Sequence, residues 1–147
     1  MTRQLLARGE VLLRSGPLVQ AEIHTDEISF LTNKNFNGYE PFARVNLMVD
    51  TGSNISGIDS SVVKKLRLRK YDESAEVEGV GGMHNAGRYR CIVFLDIFGM
   101  KGLPLDVIEG DYLNAPYQGV LGRDVLQFCR FVYDGPSSKF VLTAKDF

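Results

Sequence analysis

The chain has 147 residues, 17 Lys and Arg against 18 Asp and Glu, a formal net charge of −1, 44% hydrophobic residues and 15 glycines. One domain of this length buries an adequate core without staples, and the near-neutral charge speaks against a nucleic-acid or membrane-surface protein, which would present a basic face. No apolar run reaches membrane length, and two cysteines, with no CxxC pair, are too few for a disulfide framework.

Residues 1–16 fit a short amphipathic helix or a loose strand equally well and are read as an N-terminal extension to a domain spanning 17–147. They contain no continuous apolar run of signal-peptide type, so the protein is expected to be cytoplasmic. Pro17–His24 reads as a strand, with Leu18, Val19, Ala21 and Ile23 apolar. Residues 25–42 hold the polar run Asn33–Gly38 and end near Pro41, which is the chemistry of a hairpin or a long surface loop. Val45–Val49 is the clearest buried strand. Ile55–Ile58 begins another, and Asp59 or Ser60 is placed to N-cap a short helix through Leu66. The basic run Lys64, Lys65, Arg67, Arg69 and Lys70 is followed at once by Asp72, Glu73, Glu76 and Glu78, which cancel its field. It reads as a solvated helix end.

Val77–Val80 and Tyr89–Phe98 are strand-like, and residues 81–87 between them look like a hairpin tip. Leu103–Ile108 is a further strand. Val120-Leu121 leads into Gly122–Leu126, where a short helix begins. Phe131–Tyr133 and Lys139–Leu142 read as a closing hairpin around Asp134–Ser137. Many short strands, Gly-rich turns and little helix describe an all-β barrel or sandwich.

One segment carries chemistry. Val45–Val49 runs straight into Asp50-Thr51-Gly52-Ser53, so a rigid strand delivers a carboxylate to a turn. Gly52 lets backbone amides approach that carboxylate. Ser53 is expected to donate to it and so to favour its ionised form. Two carboxylates sharing one proton supply both the base that activates water and the acid that hydrolysis of a peptide bond requires. Such a mechanism needs neither metal nor cofactor, and none is expected. Asp-Thr-Gly occurs once in the chain and the length leaves no room for a second lobe, so the second carboxylate must come from a second copy.

Two further segments follow in order, Gly79-Val80-Gly81-Gly82-Met83 between strand-like runs and Val120-Leu121-Gly122-Arg123-Asp124-Val125-Leu126 near the C-terminus. With these three pieces, residues 17–143 resemble the retropepsins, the retroviral-type aspartic proteases and their cellular relatives. The resemblance implies a single-lobe β-barrel with a flap hairpin and a short C-terminal-side helix. It further implies a catalytic Asp50, a Thr51 that grips its symmetry mate across a homodimer, a flap centred on Gly81 and Gly82, and Gly122, Arg123 and Asp124 packed as support behind the catalytic loop. The expected ligand is a polypeptide held as an extended strand along Gly52, Ser53 and Asn54 and under the flap, with Ile55, Val80, Met83 and Val120 lining apolar subsites.

Asn54 stands where many viral members have an acidic partner for the motif Arg. Arg123 is therefore expected to turn to Asn54, Asp59 or Asp124. The competing reading keeps the fold but not the reaction, as a dimerisation or peptide-binding module with weak or no hydrolysis. His24 and His84 lack ligand spacing, and Cys91 and Cys129 lie in apolar runs as core thiols. Asp96 and Asp106 sit within strand-like runs, facing solvent or satisfying a loop.

Overall fold

The computed structural model describes residues 3–8, 10–79 and 82–144. In chain order the elements are β1 (Arg3–Arg8), α1 (Glu10–Ser15), β2 (Leu18–His24), α2 (Glu27–Asn33), β3 (Phe42–Val49), β4 (Gly57–Asp59), α3 (Ser60–Lys65), β5 (Arg69–Gly79), β6 (Gly82–Phe94), a single 3-10 turn (Asp96–Phe98), β7 (Gly102–Gly110), β8 (Gly119–Leu121), α4 (Arg123–Leu126), β9 (Cys129–Asp134) and β10 (Lys139–Ala144).

Period-two patterning decides which faces turn inward. Val19, Ala21 and Ile23 of β2 and Val45, Leu47 and Val49 of β3 are buried, and the antiparallel register sets Val19 opposite Leu47 and Ala21 opposite Val45. The strands then run β2-β3-β8-β4-β7-β6, and β6 pairs back onto β2 with Ile23 opposite Val93, which closes a six-stranded barrel. β3–β8 and β4–β7 are parallel and the remaining pairs antiparallel, so the barrel is mixed. Ile58, Val93, Leu105, Val107 and Leu121 fill its interior. Each such fully buried aliphatic side chain contributes about 1.5–3 kcal/mol relative to exposure. Asp59 caps α3, accepting from the Ser61 amide at 2.9 Å, and the helix tucks Val62 and Val63 into the same core. The expected retropepsin-like all-β barrel, with a short helix near the C-terminal side, is the fold observed.

β5 extends outward from β6 as the second arm of a long hairpin, with Gly79 opposite Gly82. The tip was expected over 81–87. Instead β6 already begins at Gly82, and the connection at residues 80–81 lies outside the described residues. A second sheet has the order β1-β10-β9. Arg3–Arg8, within the segment read as an extension, pairs residue for residue with Lys139–Ala144. Phe140, Leu142 and Ala144 of β10 are buried, whereas Val132 and Tyr133 of β9 are exposed. Among the described residues no helix is long and apolar enough to cross a membrane.

The stretch 25–42 departs from expectation, since it holds the helix α2 rather than a hairpin or an unbroken loop. The Asp26 carboxylate accepts from the Ser29 amide at 2.7 Å and starts the helix. Ile28, Phe30 and Leu31 are all exposed, so no core-facing apolar stripe marks it in the sequence.

Candidate active site

Asp50 extends β3 by one step. Val49 faces the core, so Asp50 turns to the other face, half-buried. Its amide donates to the Leu121 carbonyl at 2.9 Å, which ties the end of β3 to β8. The Gly52 amide donates to Asp50 Oδ1 at 2.9 Å, and a Cβ on Gly52 would stand 3.2 Å from the same oxygen. The only described glycines with positive φ are Gly16, Gly38 and Gly99, so Gly52 is required for this close approach rather than for a left-handed bend. Thr51 and Gly52 are exposed. The Ser53 hydroxyl was expected to donate to the Asp50 carboxylate. It donates instead to the Ile55 carbonyl at 2.6 Å, within its own loop.

Behind this loop lies α4. The Arg123 amide donates to the Ser53 carbonyl at 2.8 Å, and Arg123 Nη1 donates to the Thr51 carbonyl at 2.6 Å. None of the three acceptors expected for Arg123 is used. Asp59 is taken by Ser61 and by the Tyr112 amide (2.8 Å), and Asp124 is taken by Ser56. Asn54 is exposed. The Asp124 carboxylate receives the Ser56 amide at 2.9 Å and the Ser56 hydroxyl at 2.7 Å, and the Ser56 oxygen in turn accepts from the buried Gly122 amide at 2.9 Å. Gly122 sits so close to the Ser53–Ile55 loop that a Cβ would meet Ile55 C at 2.8 Å and Ser53 O at 2.9 Å, both backbone atoms.

Cross-strand registers define a floor beside Asp50. Met48 pairs with Val120, Val120 with Gly57, and Gly57 with Ile108, one row across β3, β8, β4 and β7. The neighbours of these residues on each strand, Val49, Leu121, Ile58 and Val107, all face the core. The row therefore lies on the opposite face, the one Asp50 shares. Val120 is buried yet stands outside the core cluster. Ile55 is half-buried in the loop before β4. Val80 and Gly81 lie outside the described residues, and of Gly82 and Met83 only the strand backbone is described.

Ser56, Gly57, Ile108 and Tyr112 went unmarked in the sequence. The Tyr112 hydroxyl lies where a Gly57 Cβ would stand. Burial pushes the Tyr112 phenol up, with smaller contributions from Tyr117, Asp50 and Asp59. A glycine inside an apolar strand was the one available signal, since it marks a place that another group must approach closely.

The other reactive side chains singled out have structural roles where they are described, and the His84 side chain lies outside the described residues. His24 Nε2 lies 3.0 Å from Glu22 Oε1, and its ring stacks on Phe42 and meets Phe94 edge-on. Burial raises Cys91 to about 12 and Cys129 to about 11, far from a thiolate at neutral pH. Asp106 pairs with Arg90 across β6 and β7. Asp96 is exposed at the start of the 3-10 turn.

A barrel of this topology, with an Asp-Thr-Gly loop laid against a Gly-Arg-Asp helix start, is retropepsin-like. The family model described as aspartyl protease matches residues 34–125, and the chain belongs to that family. Solved structures of the same fold include a retropepsin-like aspartic protease from Rickettsia conorii, at 19% identity over 95% of this chain and 98% of that one, with a TM-score of 0.57. They also include the EIAV protease complexed with the inhibitor HBY-793, at 21% identity over 76% of this chain and 85% of that one, with a TM-score of 0.51. No curated protein sequence gives a significant match.

Proposed function

We propose that the protein is an aspartic endopeptidase that hydrolyses polypeptides as a C2 homodimer, with the two copies of Asp50 as its acid and base. The observation that carries this reading is the Asp50 loop itself. A half-buried carboxylate, fixed by the Gly52 amide and braced from behind by Arg123 and Gly122, stands on an apolar floor, with no ion pair to it among the described residues. A scaffold without chemistry has no use for that arrangement.

Two like charges side by side cannot both ionise, so the Asp50 pair shares one proton. The ionised member takes a proton from the attacking water while the other protonates the substrate carbonyl. Thr51, exposed at the same turn, holds its symmetry mate. Substrate lies extended along Gly52, Ser53 and Asn54, with side chains toward Ile55 and Val120. The β5–β6 hairpin serves as the flap that covers substrate and excludes water. Gly122, Arg123 and Asp124 keep the loop in place. The outer edge of β9, where Val132 and Tyr133 are exposed, offers a strand edge to the second copy.

The test is cleavage of a denatured protein mixture from pH 3 to 8 by wild type and by Asp50→Asn. Removing a general acid–base group is expected to lower the rate by about 10²–10⁴-fold, with a dimer retained in light scattering. Equal cleavage by both proteins would refute the role of Asp50. No cleavage by a folded wild-type dimer would favour a peptide-binding module.

A further inference from the structure

The floor beside Asp50 has a gap in its row of side chains. Met48, Val120 and Ile108 each present one, and Gly57 presents none. The gap is filled from above. The Tyr112 ring enters from the loop after β7, its hydroxyl over Gly57 and its edge against Gly110, where a Cβ would stand 2.9 Å from Tyr112 Cε2. Glycines on two strands thus make room for one phenol.

The ring is held by its surroundings. The Asp59 carboxylate accepts the Tyr112 amide at 2.8 Å, the Ser60 hydroxyl donates to the Gly110 carbonyl at 3.1 Å, and the Tyr112 carbonyl accepts the Ala115 amide at 3.0 Å. Tyr117 packs its ring 6.0 Å from that of Tyr112. Asp59 and Gln118 close the loop at its other end, with the Asp59 amide donating to the Gln118 carbonyl at 2.8 Å. A side chain with two rotatable bonds on so anchored a backbone has little freedom to leave.

We propose that Tyr112 is a specificity-determining residue that fills the subsite between Val120 and Ile108, so that the substrate side chain bound there must be small, of the Gly, Ala or Ser class. The inference rests on the peptidase reading of the same face. It narrows that reading, because general apolar subsites would welcome bulky residues at every position. Size sets the restriction, and the phenol oxygen, the atom nearest Gly57, is part of that size.

The test uses hexapeptides with Ala or Leu at each position flanking the scissile bond, cleaved by wild type, Tyr112→Ala and Tyr112→Phe. Wild type should prefer Ala at one position, and the Leu-to-Ala ratio of kcat/KM there should rise at least about tenfold in Tyr112→Ala, the effect of opening a pocket by several methylenes. Tyr112→Phe, which removes only the oxygen over Gly57, should raise the ratio by less. An unchanged ratio in a folded, active Tyr112→Ala would overturn the proposal while leaving the peptidase reading intact. Equilibrium binding of the same hexapeptides, in the Asp50→Asn background with and without Tyr112→Ala, needs no turnover. A shifted affinity ratio without wild-type cleavage would sink the peptidase reading and keep this one. Binding of no peptide would count against both.

Discussion

The floor around Asp50 and the terminal sheet β1-β10-β9 are built on opposite plans. In the floor, β4 and β8 have three residues each and α4 has four. Elements so short cannot hold themselves by their own hydrogen bonds. They are held instead by side chains reaching backbone, Asp124 and Ser56 to each other and to Gly122, Arg123 to Thr51, and by glycines packed against carbonyls. In the terminal sheet three six-residue strands pair without a break, and the ladder does the holding. Position in the floor is carried by a few atoms without substitutes. In the sheet it is spread over many that are interchangeable.

Glycine replacement should break this comparison most sharply. A side chain at Gly122 meets the backbone of Ser53 and Ile55, neither of which can yield without moving the Asp50 loop. Gly122→Val is expected to cost about 3 kcal/mol or more, at the top of the range for overpacking, and to abolish cleavage. In the β9–β10 turn, a Cβ on Gly135 finds its nearest neighbour at 3.8 Å, ordinary contact distance. Gly135→Ala should fall within about 0.5 kcal/mol of wild type. Urea midpoints of the two variants decide the matter, and similar losses at both sites would erase the distinction.

Removing one carboxylate from the floor comes next. Asp124→Ala leaves the Ser56 amide and hydroxyl without their acceptor and takes one of two acceptors from the Val125 amide, which keeps the Gly122 carbonyl. Unpaired groups near the core cost about 1–3 kcal/mol, so thermal unfolding should shift down by that amount, with kcat/KM falling as the loop loosens. An unchanged midpoint would mean that water replaces the carboxylate and that α4 holds by packing alone.

The two regions also differed in how much the sequence disclosed. Strands whose buried faces alternate, such as β2, β3 and β10, were legible because period-two burial writes itself into the residue types. The packing of Gly122 and Arg123 against the loop that follows Asp50 was legible because the order of these segments along the chain is distinctive. The acceptor of Arg123 was not. Each of its three expected partners is a side chain, and the choice of the Thr51 carbonyl depends on where Asp59 and Asp124 are already engaged. Tyr112 was hidden for a similar reason, since its place over Gly57 follows from a loop closed by Asp59 through space. Helix α2 was hidden because it is started by a cap and buries no stripe.

Asp59 joins floor to loop and gives the comparison a pH dependence. It is buried, and its carboxyl is held below the ordinary aspartate range, first by the Ser61 hydroxyl and then by the Tyr112 and Ser61 amides, against the opposing effect of burial. A depressed folded-state pKa gives stability that is present above the unfolded value, about pH 4, and lost as pH falls through the folded value. Asp59→Asn should therefore be less stable than wild type at pH 7, by about 1–2 kcal/mol for the charged hydrogen bonds lost. The gap should narrow toward pH 2. Denaturation midpoints of both proteins across that interval test the sign, and a gap that widens in acid would reverse it.

The smallest expected effect is also the most discriminating. Ser53 follows the Asp50 turn directly, and a hydroxyl there could serve either the carboxylate or the loop. Its bond to the Ile55 carbonyl at 2.6 Å assigns it to the loop. Ser53→Ala should then cost about 1 kcal/mol, the net worth of one neutral hydrogen bond, and leave the acid limb of the pH–rate profile where wild type has it. A hydroxyl that stabilised ionised Asp50 would act otherwise. Its loss would move that limb toward neutral pH. An upward shift would therefore show that in the active protein Ser53 turns from the Ile55 carbonyl to the Asp50 carboxylate.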